Sequence, residues 1–173
     1  LYPSQVGGPL DSPAHTGDYI VDVLQSLSVS DVLADSMEAT LIHEHTPLRK
    51  AMRIVSDSRD THFPVVDGQG DLVGIFSLSD LRRIFLEHEV QDIVVARDFM
   101  REQVATVTAE DSLHDVQRLF TRRAVSALPV VDADDPRRVV ALLKRNDVGR
   151  AYTDRLKELK GGSSSVPEPR PGA

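Results

Sequence analysis

The sequence predicts an α+β fold: two tandem βαββα repeats packed as one module with pseudo-twofold symmetry. Three observations predict it. The middle of the chain is duplicated, with Phe63-Pro64-Val65-Val66-Asp67 answering Leu128-Pro129-Val130-Val131-Asp132 at an offset of 65. Leu48 answers Leu113 at the same offset, whereas Asp31 answers Asp98 and Asp80 answers Asp147 at 67. The change of offset falls in two stretches that read as loops, 34–46 against 101–111 and the turn after Asp67 against the longer 132–138. Loops absorb length changes that packed elements do not.

Each copy yields the same elements in order. A short apolar run, 39–42 or 104–108, is a candidate strand. A helix follows, with Thr46 as N-cap and Pro47 in the first helical position, or with Asp111 as N-cap. Leu48, Ala51, Met52 and Val55 fall at i, i+3, i+4 and i+7, and Leu113, Val116, Leu119 and Phe120 repeat the stripe. Arg122 and Arg123 sit in the last turn, where the helix dipole favours cations. Two short apolar runs around turn residues then read as a hairpin, 63–66 with 72–76. A second helix closes each copy, with Leu81, Ile84 and Phe85 on one face, or Val148, Ala151, Tyr152 and Leu156. Aromatic residues make up only 5% of the chain, so neither small copy buries a sufficient core alone. Packing the two together supplies the missing burial and creates a cleft, the sort of junction where small ligands bind.

The ends differ from the middle. Residues 1–28 form a Pro- and Gly-bearing lead-in, residues 29–90 and 91–158 the two copies, and residues 159–173 a Gly-Gly-Ser-Ser-Ser and proline tail expected to be disordered. The sequence opens on Leu1 and reads as a piece of something longer.

Composition excludes several classes. No apolar run approaches the roughly 20 residues that span a bilayer. A net charge of −7 repels phosphodiester backbones, so nucleic acid is not expected as a partner. The absence of cysteine removes disulfides, thiolate metal sites and Cys nucleophiles. No P-loop and no GxGxxG occur, and the scattered histidines His15, His88 and His114 build no triad, so no catalytic residue is assigned. His43-Glu44-His45 prompts a check for zinc, but a third ligand is not specified and polar strand-end residues explain the run, so no metal is assigned.

Two short runs carry the chemistry. Ser77-Leu78-Ser79-Asp80 reads as a helix N-cap, with Ser77 or Ser79 capping and Asp80 at the positive helix end. Lys144-Arg145-Asn146-Asp147 stands at the same place in copy two, with Lys144 where the hydroxyl residue belongs. Its cations can neutralise phosphates or form a solvated face. Asp60-Thr61-His62 and Val125-Ser126-Ala127 precede the paired strands as turn residues.

The duplication resembles a CBS-domain pair, or Bateman module. The matching residues are Thr61-His62-Phe63-Pro64-Val65-Val66-Asp67 with Val73-Gly74-Ile75-Phe76-Ser77-Leu78-Ser79-Asp80, and Ser126-Ala127-Leu128-Pro129-Val130-Val131-Asp132 with Arg145-Asn146-Asp147. The resemblance implies a regulatory, non-catalytic module that senses ATP, ADP or AMP. It places ribose hydroxyls on the Asp of the Ser/Thr-x-x-Asp run and adenine near the turn before the paired strands. The first implied nucleotide set is Thr40, Leu41, Asp60, Thr61, Phe63, Pro64 and Asp147. The mirror set is Thr106, Val107, Ser126, Pro129, Ser77 and Asp80. The first set is preferred, because relatives of the kind named next use base contacts from copy one with the Asp of copy two. His62 is bulkier than the small residue often found at its place.

The lead-in, Leu1-Tyr2-Pro3-Ser4-Gln5, Asp11-Ser12-Pro13-Ala14-His15 and Asp18-Tyr19-Ile20-Val21-Asp22-Val23-Leu24, is similar to the connector after the last membrane helix of ClC-type chloride channels and antiporters. That similarity implies a homodimer at the cytoplasmic face of a membrane, attached to a membrane transport domain of the same chain. Two alternatives stand beside it: a structural dimerisation module without ligand, and a regulatory CBS pair of another transporter or enzyme.

Overall fold

The structure is a computed structural model that describes residues 20, 22–33, 38–86 and 93–161. A 3-10 turn, Val29–Asp31, opens copy one. Then come β1 (Ile42–His43), α1 (Leu48–Asp57), β2 (His62–Val66), β3 (Leu72–Ser77) and α2 (Leu78–Phe85). Copy two has a short helix α3 (Ala96–Phe99), then α4 (Leu113–Arg123), β4 (Ala127–Val131), β5 (Val139–Lys144) and α5 (Arg145–Gly161). The expected tail begins inside α5, since 159–161 continue that helix, and residues 162–173 lie outside the described residues. Most of the lead-in, with His15 among it, and His88 lie outside them as well.

The hairpins form as expected and match each other. Pro64 pairs with Ile75 and Pro129 with Leu142, and both ladders carry an irregularity at the same place, Val65/Val66 and Val130/Val131. The expected first strands do not form as expected. β1 covers only Ile42–His43, parallel to β2, and Thr40 and Leu41 precede it in irregular backbone. In copy two a single parallel bridge, Val107 to Val130, replaces a strand. The cause is the proline at the centre of each partner strand. Val107 donates to the Pro129 carbonyl at 3.1 Å and accepts from Val131 at 2.8 Å. The next ladder bond would need an N–H from position 129, which proline lacks. Pro64 stops the ladder beside Thr40 in the same way. Both copies therefore leave the residues before their first strand outside the sheet and beside the cleft.

Helix starts shift by one residue from the expected caps. Pro47, not Thr46, stands at the N-cap of α1, and Ser112, not Asp111, caps α4, with its hydroxyl accepting from the Asp115 amide at 3.2 Å. Ser77 caps α2.

The two cores exchange their leading segments. Ile42, Leu48, Val55, Phe63, Val65, Phe76 and Leu81 of copy one pack with Ala96 and Phe99 of copy two. Val107, Leu113, Val116, Phe120, Leu128, Val130, Leu143 and Val148 pack with Leu24 and Val29, which precede copy one's first strand. Matching backbone bonds fix each exchange. Val29 donates to Asp111 O at 2.9 Å and Leu113 to Leu27 O at 2.9 Å, while Leu48 donates to Val94 O at 2.9 Å and Ala96 to Thr46 O at 3.0 Å. Buried Glu44 secures the second exchange through an ion pair with Arg97. Neither copy is complete without the other.

Candidate functional site

The junction between copies is built from the N-terminal ends of α2 and α5, the turns before β2 and β4, and the segment after α3. The cavity of interest, about 360 Å3, is lined by His62, Ser77, Ser79 and Asp80 of copy one and by Arg101, Ala105, Arg123, Val125 and Ser126 of copy two. Copy two reaches it because the exchanged α3 leads the chain onto β3, where Ile75 and Arg101 exchange both backbone bonds at 3.0 and 2.8 Å.

Asp80 is the anchor of this cavity. It is 5% exposed. Its Oδ2 accepts from the Ser77 amide at 3.0 Å and the Ser77 hydroxyl at 2.7 Å, and its Oδ1 lies 3.2 Å from Arg101 and 3.6 Å from Arg83. Burial pushes its carboxyl pKa up, but the Ser77 bonds and the Arg101 guanidinium outweigh it and hold the group below the usual carboxylate value. The result is an ionised acceptor at a helix N-terminus, flanked by cations. Such a site suits a ligand with vicinal hydroxyls and an anionic end.

The polar residues of the first expected set have partners within the protein. The Thr40 hydroxyl donates to Asp60 Oδ2 at 3.0 Å, and Lys144 Nζ lies 2.7 Å from Asp60 Oδ1. Thr61 Oγ1 is 3.0 Å from His62 Nδ1. Asp147 is buried and accepts from the Lys144 amide at 2.9 Å. Phe63 and Pro64 are buried within β2, and Leu41 is exposed. In the mirror set, Ser77, Asp80 and Ser126 meet at the 360 Å3 cavity. Thr106 and Val107 instead line a separate cavity beside α4, with Asp111, Asp115 and Arg122, and Pro129 is buried in β4. Sequence reasoning missed Arg101 and Ala105. They reach the cavity only through the exchange of leading segments, which no local pattern of spacing encodes.

His43 and His45 lie with ring centroids 5.7 Å apart, and Glu44 between them is taken by Arg97. Among the described residues no group of three or more His, Asp or Glu side chains is placed to hold a metal ion. Among the same residues no helix is long and apolar enough to cross a membrane.

A family model described as "CBS domain" matches residues 29–87 and again 95–154. The chain belongs to the CBS domain family. This CBS pair is 32% identical over 127 residues to a homoserine O-acetyltransferase of Methanocorpusculum labreanum, covering 73% of this chain and 24% of that protein. It is 27% identical over 124 residues to an L-aspartate semialdehyde sulfurtransferase of Methanocaldococcus jannaschii, covering 72% and 23%. The pair thus spans about a quarter of the length of these relatives. Among solved structures it is similar to the CBS domain pair of protein MJ0100 in complex with 5′-methylthioadenosine and S-adenosyl-L-methionine, at TM-score 0.64 and 25% identity, covering 75% of this chain and 98% of that one. It is also similar to CBSX2 in complex with AMP, at TM-score 0.61 and 26% identity, covering 73% and 96%. A CBS pair is a regulatory module.

Proposed function

We propose that this chain is the ligand-sensing regulatory CBS pair of a larger protein and that it takes an adenosine-bearing ligand, such as AMP, ADP or ATP, in the cavity around Asp80. The observation that carries the reading is that cavity: both copies line it, and it holds a buried, ionised carboxylate at a helix N-terminus beside Arg101, with Arg123 also on its wall. Adenosine ligands in the related MJ0100 and CBSX2 pairs support it. Ribose hydroxyls donate to Asp80, the Ala105 segment freed by Pro129 offers backbone groups to the base, and Arg101 and Arg123 face phosphate. A ligand contacting both copies favours one angle between them, which is the differential affinity that allosteric control requires.

The relatives favour a CBS pair attached to another protein, such as an enzyme, over a chloride transporter. The ClC reading, and with it a membrane transport domain and the cytoplasmic face of a membrane, rests on residues 1–24, most of which lie outside the described residues. A homodimer belongs to the proposal on the same footing. The test is calorimetric titration with AMP, ADP, ATP and S-adenosyl-L-methionine, repeated on Asp80→Ala. Binding that the variant loses supports a sensor. No heat at millimolar ligand removes the sensing claim and leaves a structural dimerisation module, a reading favoured by the ion pair that already fills part of the cleft.

A further inference from the structure

The duplication supplies two pseudo-equivalent ligand positions, and the chain has made them chemically unequal. Lys144 corresponds to Ser77 at an offset of 67, and Asp60 corresponds to Val125 at an offset of 65. In one half of the cleft the facing residues are therefore Lys144 and Asp60; in the other they are Ser77 and Val125. The first two join across the copies at 2.7 Å, with Thr40 donating to the other oxygen of the same carboxylate at 3.0 Å. The second two stand on the wall of the 360 Å3 cavity. We propose that Lys144 is an internal occupant of one ligand position, so that the Lys144–Asp60 pair takes up the polar contacts of that half and the module takes a single ligand, in the Asp80 half.

Three further observations agree. The Asp60 side chain is 14% exposed and that of Lys144 39%, so the carboxylate end of the pair is shielded from water while the lysine remains partly open to it. Burial pushes the Asp60 carboxyl up, yet the Lys144 and Thr40 hydrogen bonds and the Lys144 charge hold it below the usual carboxylate range. The space beside Lys144, about 390 Å3, is lined by Arg59, Thr61, Val125, Ser126, Arg145 and Asn146, and neither Asp60 nor Asp147 stands on its wall. Asp80, the counterpart of Asp147, does stand on the wall of the 360 Å3 cavity. Both carboxylates are buried, at 5% and 7% exposed, and what separates the halves is that only Asp80 faces a cavity. A lysine in place of a small hydroxyl residue looks like a neutral loss of a ligand contact; with Asp60 opposite, it becomes a cross-brace that fixes where the ligand goes and how many bind.

This inference rests on the adenosine reading above, and a transplant of side chains separates the two. Asp60→Val with Lys144→Ser gives the Lys144 half the residues of the Asp80 half. Calorimetric titration with AMP should give one site per chain in the native protein and two in the variant, with the new site surviving an added Asp80→Asn. Two sites in the native protein, or one site in a variant that still melts cooperatively, overturns the proposal and leaves the sensor reading intact. A silent native protein with one site in the variant upholds the internal occupant and overturns the Asp80 site. Silence in both overturns both. Should the variant not fold, the native protein decides by itself. Under trace acetic anhydride, Lys144 should be acetylated several-fold more slowly than Lys157, whose pairing with Asp154 is exposed; equal rates overturn the proposal.

Discussion

His62 Nε2 and Ser126 Oγ lie 3.2 Å apart and join the first residue of β2 to the turn before β4. The other ring nitrogen lies 3.0 Å from Thr61 Oγ1, and Thr61 is the counterpart of Ser126 in the duplication. Two equivalent hydroxyls thus hold one imidazole at the junction. Burial holds this histidine below its ordinary pKa of 6.5; Asp80 acts in the opposite sense, while Arg101 and Lys144 lower it further. A folded pKa below the unfolded one means that the unfolded chain binds the proton better. The contribution is therefore whole above the ordinary histidine value and is lost as pH falls through it toward the folded pKa. The melting temperature should drop between about pH 7.5 and about pH 5. His62→Gln, which keeps hydrogen-bonding atoms without titrating, should flatten that drop. An unchanged slope would show that other groups carry it.

Asp80 belongs to the capping box of α2 and is the ligand acceptor of the proposed function, and the two roles separate experimentally. Its carboxylate bonds the Ser77 amide and hydroxyl, while the Asp80 amide donates back to Ser77 Oγ at 3.3 Å. Ser77→Ala should cost about 0.5–2 kcal/mol of stability in urea unfolding. Asp80→Asn should additionally lose charge-assisted bonds worth about 1.5–3 kcal/mol to the ligand, or roughly tenfold to a hundredfold in affinity. Because the folded pKa of Asp80 is depressed, its contribution is present above the ordinary carboxylate value and disappears as pH falls below it. Asp80→Asn should therefore lose less stability on acidification than the native chain does. An equal acid loss in both proteins would count against an ionised Asp80.

The duplication, hairpins, helix faces and the two Ser/Lys-x-x-Asp runs were legible in the sequence, because each is a local pattern of spacing or turn chemistry. The short first strands were legible in principle as well, since Pro64 and Pro129 deny their neighbours a ladder donor. The exchange of leading segments was not. Ala96 and Phe99 are apolar positions whose spacing says only that they are buried, not in which copy. The location of the cleft followed from the repeat, but the inequality of its halves needed the pairing of Lys144 with Asp60, residues 84 apart in sequence, which no local pattern encodes.

Gly74 and Ala141 are counterparts, facing Val65 and Val130 across their hairpins. They are not interchangeable. A Cβ on Gly74 would collide with the Met100 side chain and come within 3.1 Å of the Arg101 carbonyl oxygen. That close approach is what lets the segment after α3 bridge to Ile75 and bring Arg101 to Asp80. Gly74→Ala should destabilise by about 1–3 kcal/mol, and it should weaken ligand binding by displacing Arg101. The Met100→Ala background should recover much of both losses, because the collision is with that side chain. Failure of Met100→Ala to rescue either property would place the damage in the backbone at Arg101 instead.

Phe99 belongs to copy two in sequence and to copy one in packing. Its ring meets Phe76 edge-on at 5.0 Å, and Phe76 in turn stacks on Phe63 at 5.4 Å. Phe99→Ala should therefore cost about 3–5 kcal/mol, and the damage should first loosen copy one: hydrogen exchange should speed up in β2 and β3 before it does in β4 and β5. The same exchange predicts that a fragment ending before residue 94 does not fold, since it lacks Ala96 and Phe99 and leaves the faces of Phe63 and Phe76 open to water. A fragment of residues 20–86 that melts cooperatively would refute the mutual dependence of the two copies, and with it the mechanism by which one ligand in their junction could govern both.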